Sequence, residues 1–138
     1  MDDVVEPVFE RGDEGKGGFN QYKYSLVPNN ARVRLRLAGS NPHQDALRDI
    51  AELGATELET AISRRTVEQE RVDAPIVVRL FAGSRVSPPV GTVPRGLEAI
   101  VDEALSRLDL QGRKQRIPAQ LVRKGGLYRV ELLMGQTR

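Results

Sequence analysis

The sequence predicts an α+β fold: a small, strongly curved sheet or partly open barrel of about six strands, flanked by two α-helices. Three observations predict it. Residues 31–38 alternate basic and apolar side chains at the two-residue period of a half-buried strand. Leu97, Ile100, Val101, Ala104, Leu105 and Leu108 recur at the helical period. Two strand-like runs, 115–123 and 127–134, flank Gly125-Gly126, a hairpin signal. Strands and helices do not alternate strictly, which argues against a doubly wound parallel sheet.

Residues 1–18 mix acids with Gly12, Gly15, Gly17 and Gly18 and hold no period, so they read as disordered. With the aromatic segment that follows they make a flexible acidic tail, 1–27, ahead of a single domain over 28–138. Tyr22-Lys23-Tyr24 interleaves rings with charge, and reads as a strand or tail docked on the domain or as a motif for a protein partner across 19–27. Pro28-Asn29-Asn30 is a turn. In 31–38, Val33, Leu35 and Leu37 point to one face and Arg32, Arg34 and Arg36 to the other. Asn41, Pro42 and Gln44 have the spacing of a capping box that opens a helix. Its buried stripe is Leu47, Ile50 and Ala51, and Gly54 stops it. Leu58, Thr60 and Ile62 share one side of a second strand, with Arg64 and Arg65 at its end. Residues 68–75 read as a polar connection. Ile76–Phe81 is apolar except for Arg79 and reads as a central strand with Phe81 in the core. Ser87-Pro88-Pro89 is a loop, and 90–93 a short strand. The long helix starts at Pro94 and ends at Gly112, with Asp102-Glu103 on its wet face. Pro118 inside a closing strand predicts an edge strand or a bulge.

Composition excludes several chemistries. The chain has 138 residues and no cysteine, so disulfides, thiolate metal sites and cysteine nucleophiles are absent. One histidine leaves no histidine-based metal site on a single chain. No Walker loop, dinucleotide fingerprint, nucleophile elbow or zincin motif occurs. Ser40, His43 and Asp45 are close in sequence, but His43 falls in the first turn of a helix without a positioned nucleophile. No enzyme activity, cofactor or metal is expected. No apolar run of membrane-spanning length occurs, and the protein is expected to be soluble and cytoplasmic.

Charge is small overall, +2, but unevenly placed. Residues 1–30 hold six acids against three bases, whereas 110–138 hold seven bases against Glu131 alone. Arginine forks onto phosphate and stacks on bases, so this clustering suits an anionic partner. Arg32, Arg34 and Arg36 would stand about 7 Å apart along one face, two strand rises. That row matches an extended nucleic-acid strand, and equally the ordinary wet face of a sheet. Arg64 and Arg65, Arg113, Lys114 and Arg116, and Arg123 and Lys124 complete a candidate surface for nucleic acid, single-stranded DNA before RNA. The alternative from the aromatic segment is a protein-interaction adaptor.

The order of short motifs resembles HIRAN-like domains of the actinobacterial type. Val33-Arg-Leu-Arg-Leu-Ala-Gly39 followed by Ser-Asn-Pro-His-Gln-Asp-Ala-Leu47 is similar to their strand, G-E-S-x-Y-Q-x-A-L and helix. Val72-Asp-Ala-Pro-Ile-Val-Val78 is similar to their N-P-Y-D-x-N-A-V segment, and Val90-Gly-Thr-Val-Pro94 to their V-G-Y-L-P. Ile117–Val122 and Leu127–Leu132 fit the closing strands. The resemblance implies an OB-like β-barrel with two added helices. It also implies a nucleic-acid role, since related domains of eukaryotic fork-remodelling helicases capture a single-stranded DNA 3′ end. Carried over by motif, Gln44 and Asp73 match, and His43 stands where many relatives have Tyr. Glu70, Val72 and Thr92 stand where relatives have Asn, Tyr and an aromatic or His.

Overall fold

A computed structural model describes residues 21–23, 26–54 and 57–138. Residues 1–20, Tyr24 and Ser25 of the expected tail lie outside the described residues. The chain builds an α+β domain, and its longest ladder comes from its last two strands. β7 (Pro118–Lys124) and β8 (Leu127–Leu132) pair along their whole length around Gly125-Gly126. Both glycines have positive φ, +61° and +78°, the pair of left-handed conformations that a two-residue type I′ turn requires. β1 (Leu35–Arg36) joins the free side of β8. β2 (Leu58–Thr60) joins β7, β4 (Leu80–Ala82) joins β2, and β5 (Arg85–Val86) closes the series. The order is β1-β8-β7-β2-β4-β5, antiparallel at every step.

β3 (Val77–Val78) and β6 (Gly91–Thr92) form a second, two-stranded sheet. β3 and β4 are two halves of one bent strand. Val78 carbonyl accepts from Val90 N–H in the small sheet, and Arg79 carbonyl accepts from Ala61 N–H in the large one. The expected continuous strand at 76–81 therefore changes sheets at Arg79. One isolated bridge, Ala38 to Thr92, ties the exit of β1 to β6. Contact there is tight: a Cβ on Gly91 would lie 2.9 Å from both the Ala38 carbonyl and Ser40 Oγ. The large sheet is not closed on itself.

Three α-helices lie among the described residues, one more than expected. α1 (Gln44–Glu52) follows a 3-10 turn, Asn41–His43, and buries Leu47 and Ile50, while Ala51 is exposed. The expected Asn41–Gln44 capping box does not form, because both side chains bond to β8 instead. α2 (Val67–Arg71) replaces the polar connection, and it does carry a complete capping box, Thr66 with Gln69. α3 (Glu98–Leu110) begins four residues after Pro94 and buries the whole predicted stripe from Leu97 to Leu108. These side chains meet Val33, Leu35, Leu37, Leu80, Ile117, Val130 and Leu132 in one aliphatic core. Each such side chain adds about 1.5–3 kcal/mol by leaving water.

Packing starts before residue 28. Tyr22 lies in the core and pairs with Pro28. Burial pushes its hydroxyl up to about 12, and the nearby Arg107 charge offsets part of that. Pro118 sits at the first position of β7, an interior strand and not the expected edge, where its carbonyl accepts from Leu133 N–H and the proline can return no bond. The C-terminal 3-10 turn, Met134–Thr137, is tied to α3 by Arg107, whose Nε donates to the Thr137 carbonyl at 2.7 Å.

Candidate nucleic-acid interface

The ladder register sorts the sheet into two faces. Leu35, Leu132, Ala119, Leu58 and Ala82 lie opposite one another across five strands, and all are buried. The neighbouring residue on each strand must point the other way. These are Arg36, Glu131 and Gln120 in one row, and Pro118, Glu59, Phe81 and Val86 in the next. Arg34 shares this outward face, since its Nη1 lies 3.3 Å from Glu131 Oε1. Gln120 Nε2 donates to the same oxygen at 3.0 Å. Arg79 and Lys124 are exposed at positions of outward parity on the same strands. The face thus collects Arg34, Arg36, Arg79, Arg116 and Lys124 around two paired acids, Glu59 and Glu131.

Phe81 is the unexpected member. Its neighbours Leu80 and Ala82 face the core, so Phe81 faces out, half-buried rather than in the core. The Arg116 guanidinium lies 4.0 Å over its ring centroid and 3.6 Å from Glu59 Oε1. A groove of about 370 Å³ runs beside the pair, lined by Ile62, Ser63, Phe81, Val86, Gln115 and Arg116. The hold on Arg116 is weak: a partly exposed cation–π contact is worth about 0.5–1 kcal/mol and an exposed ion pair about 0–1 kcal/mol.

Other predicted residues lie elsewhere. Arg32 is exposed in the turn ahead of β1, with its N–H on Asn30 Oδ1. Lys114 is exposed beside Arg113, whose two guanidinium ends bond Gln111 and the Gln136 carbonyl. Arg123 pairs with Tyr128 on the core-side parity, 5.2 Å from its ring centroid, and so leaves the outward face.

His43 and Gln44 sit where β1 departs and leaves the β8 edge open. Gln44 closes that edge as a strand would: its Oε1 accepts from Tyr128 N–H at 2.7 Å, and its Nε2 donates to the Tyr128 carbonyl at 3.0 Å. Nε2 also donates to the Ser40 carbonyl, so both amide hydrogens are spent. Asn41 Oδ1 accepts from Arg129. Burial pushes His43 below its ordinary value, which disfavours the charged ring.

Arg65 and Asp73 belong to a structural ion-pair network. Arg65 Nε and backbone N–H donate to the two Asp102 oxygens at 2.8 and 2.9 Å, and Nη1 donates to the Ala74 carbonyl. The side chains of Arg65 and Asp102 are only 9% and 4% exposed. The expected wet face of α3 at Asp102 is therefore wrong: the helix turns Asp102 and Glu98 inward to meet arginines. Burial opposes the Arg65 charge, but hydrogen bonds and charge from Asp102, with Glu98 and Asp73, outweigh it and hold the guanidinium above its ordinary range. Asp73 accepts from Arg95 Nη2 at 2.9 Å, and Arg95 Nη1 lies 3.0 Å from Glu98. Arg64 is tied to Ser106 and Glu70. No hydrogen bond or ion pair among the described residues joins Asp73 to His43 or Gln44.

The chain matches no protein-family model, no curated protein and no solved structure. Among the described residues no group of three His, Asp or Glu side chains is placed to hold a metal ion, and no helix is long and apolar enough to cross a membrane.

Proposed function

We propose that this chain is a non-enzymatic, cytoplasmic module that binds single-stranded nucleic acid, DNA first, along the outward face of its six-stranded sheet. The observation that carries this reading is that Arg34, Arg36, Arg79, Arg116 and Lys124 share one outward sheet face with the half-buried Phe81, which Arg116 covers. Arginines neutralise phosphates and an aromatic ring offers a base its face, the two elements of single-strand binding. The bent 77–82 strand and the Ala38–Thr92 bridge are the features that favour an OB-like, partly open barrel of the HIRAN-like kind. Capture of a 3′ end is not part of this reading, because Gln44 is spent on β8 and Asp73 on Arg95.

The test is fluorescence anisotropy of a labelled single-stranded oligonucleotide across a salt series, with free and blocked 3′ ends. Four or five phosphate contacts predict a log–log salt slope of about −3. Affinity is expected to ignore the state of the 3′ end. Absence of binding at low salt, or binding indifferent to salt, overturns the reading.

A further inference from the structure

The outward face holds one place where an aromatic ring, a cation and a groove meet, and they have the arrangement of a stacking site already filled by the protein itself. The Arg116 guanidinium carbon lies over Phe81, 4.0 Å from the ring centroid, where a planar ligand would sit. The adjoining groove has room beside the ring, with Ile62 and Val86 as apolar walls and Ser63 and Gln115 at its polar rim. Among the described residues the Arg116 head has one ion-pair partner, Glu59, 3.6 Å away, and its side chain is 36% exposed. Among the described residues, no other cation of this face lies over an aromatic ring. Tyr22 lies in the core, and Tyr128 lies on the opposite parity beside Arg123.

We infer that Phe81 and Arg116 form a slot for one unpaired nucleobase: the base takes the place of the guanidinium on Phe81, and Arg116, released from Glu59, closes over the base's other face. This rests on the single-strand reading above and locates its one base contact. A base satisfies both walls at once, because its π-face stacks on a ring and also attracts a guanidinium. Arg79, two residues from Phe81 along the bent strand, then serves a flanking phosphate, and Arg36, on β1 at the far side of the sheet, serves a phosphate further along the strand, neither reading sequence.

The experiment compares binding of a single-stranded DNA oligonucleotide with that of an abasic oligonucleotide of equal length, at low salt. The wild-type protein is expected to prefer the base-bearing strand by roughly tenfold. Phe81→Leu keeps an apolar side chain and is expected to lose that preference, while Phe81→Tyr retains it. Arg36→Ala is expected to weaken both strands alike. Thermal unfolding of each variant verifies that it is folded. Equal wild-type affinity for the two strands removes the slot and leaves the cationic face standing. An undiminished preference in Phe81→Leu also overturns the slot. No binding of either strand overturns the single-strand reading itself.

Discussion

Replacing Asp102 with alanine is expected to destabilise the domain by about 3–5 kcal/mol, the cost of stranding one partner of a buried ion pair. That is a large part of the 5–15 kcal/mol typical of a whole domain. Asp102 satisfies the Arg65 guanidinium and the Arg65 backbone N–H together, with both side chains nearly out of water. Without it, the guanidinium keeps only the Ala74 carbonyl and the exposed Asp73. Removing both charges is a different experiment. Arg65→Met with Asp102→Leu is expected to recover most of the loss, since well-packed apolar pairs commonly equal buried ion pairs in stability. Urea unfolding of the single and double variants reads this directly. A single variant within 1 kcal/mol of wild type, on the order of a surface pair, would contradict a buried structural role.

Reversing charge at Arg34 and Arg36 together, each to glutamate, is expected to weaken oligonucleotide binding about a hundredfold at low salt. A cation 4 Å from a phosphate gains about 1 kcal/mol even in bulk water, and reversal doubles the change at each site. Screening trims the sum of about 4 kcal/mol to near the hundredfold level. Arg34 is half-exposed, but Arg36 is partly buried opposite Glu131, whose side chain is 13% exposed, so thermal unfolding of the variant accompanies the binding assay. Arg48→Glu with Arg71→Glu is the control of equal net charge. Those arginines lie on α1 and α2 and pair locally with Asp45 and Glu68. The anisotropy assay is expected to show a much smaller loss for the control. Equal losses would mean that net charge, not this face, sets the affinity.

Short-range order was legible in the sequence. The alternation of Val33, Leu35 and Leu37, the stripe of α3 and the Gly125-Gly126 hairpin follow from local periodicity and turn chemistry. α2 was also within reach, because Thr66 and Gln69 have capping-box spacing ahead of helix-forming residues. Asn41 and Gln44 show the same spacing and do not cap, since tertiary bonds to β8 use their side chains instead. No local rule separates the two cases. Phe81 was misplaced because 76–81 is apolar except for Arg79, and only its pairing register reveals that Phe81 faces out. Asp102 and Arg65 are 37 residues apart, so neither position signals the other. In the interface, the row of Arg34 and Arg36 was readable from a single strand. Its continuation to Arg116 and Lys124 depends on the strand order, which crosses from β1 to β8, β7 and β2.

The most direct test of the central claim is a map of backbone amide shifts as unlabelled single-stranded DNA is added to isotope-labelled protein. The account predicts shifts concentrated at Arg36, Gln120, Glu59, Phe81 and Arg116, with α1 and α3 unmoved. Shifts confined to residues 64–74 and Arg95, or to His43 and Gln44, would contradict it and move the site off the sheet.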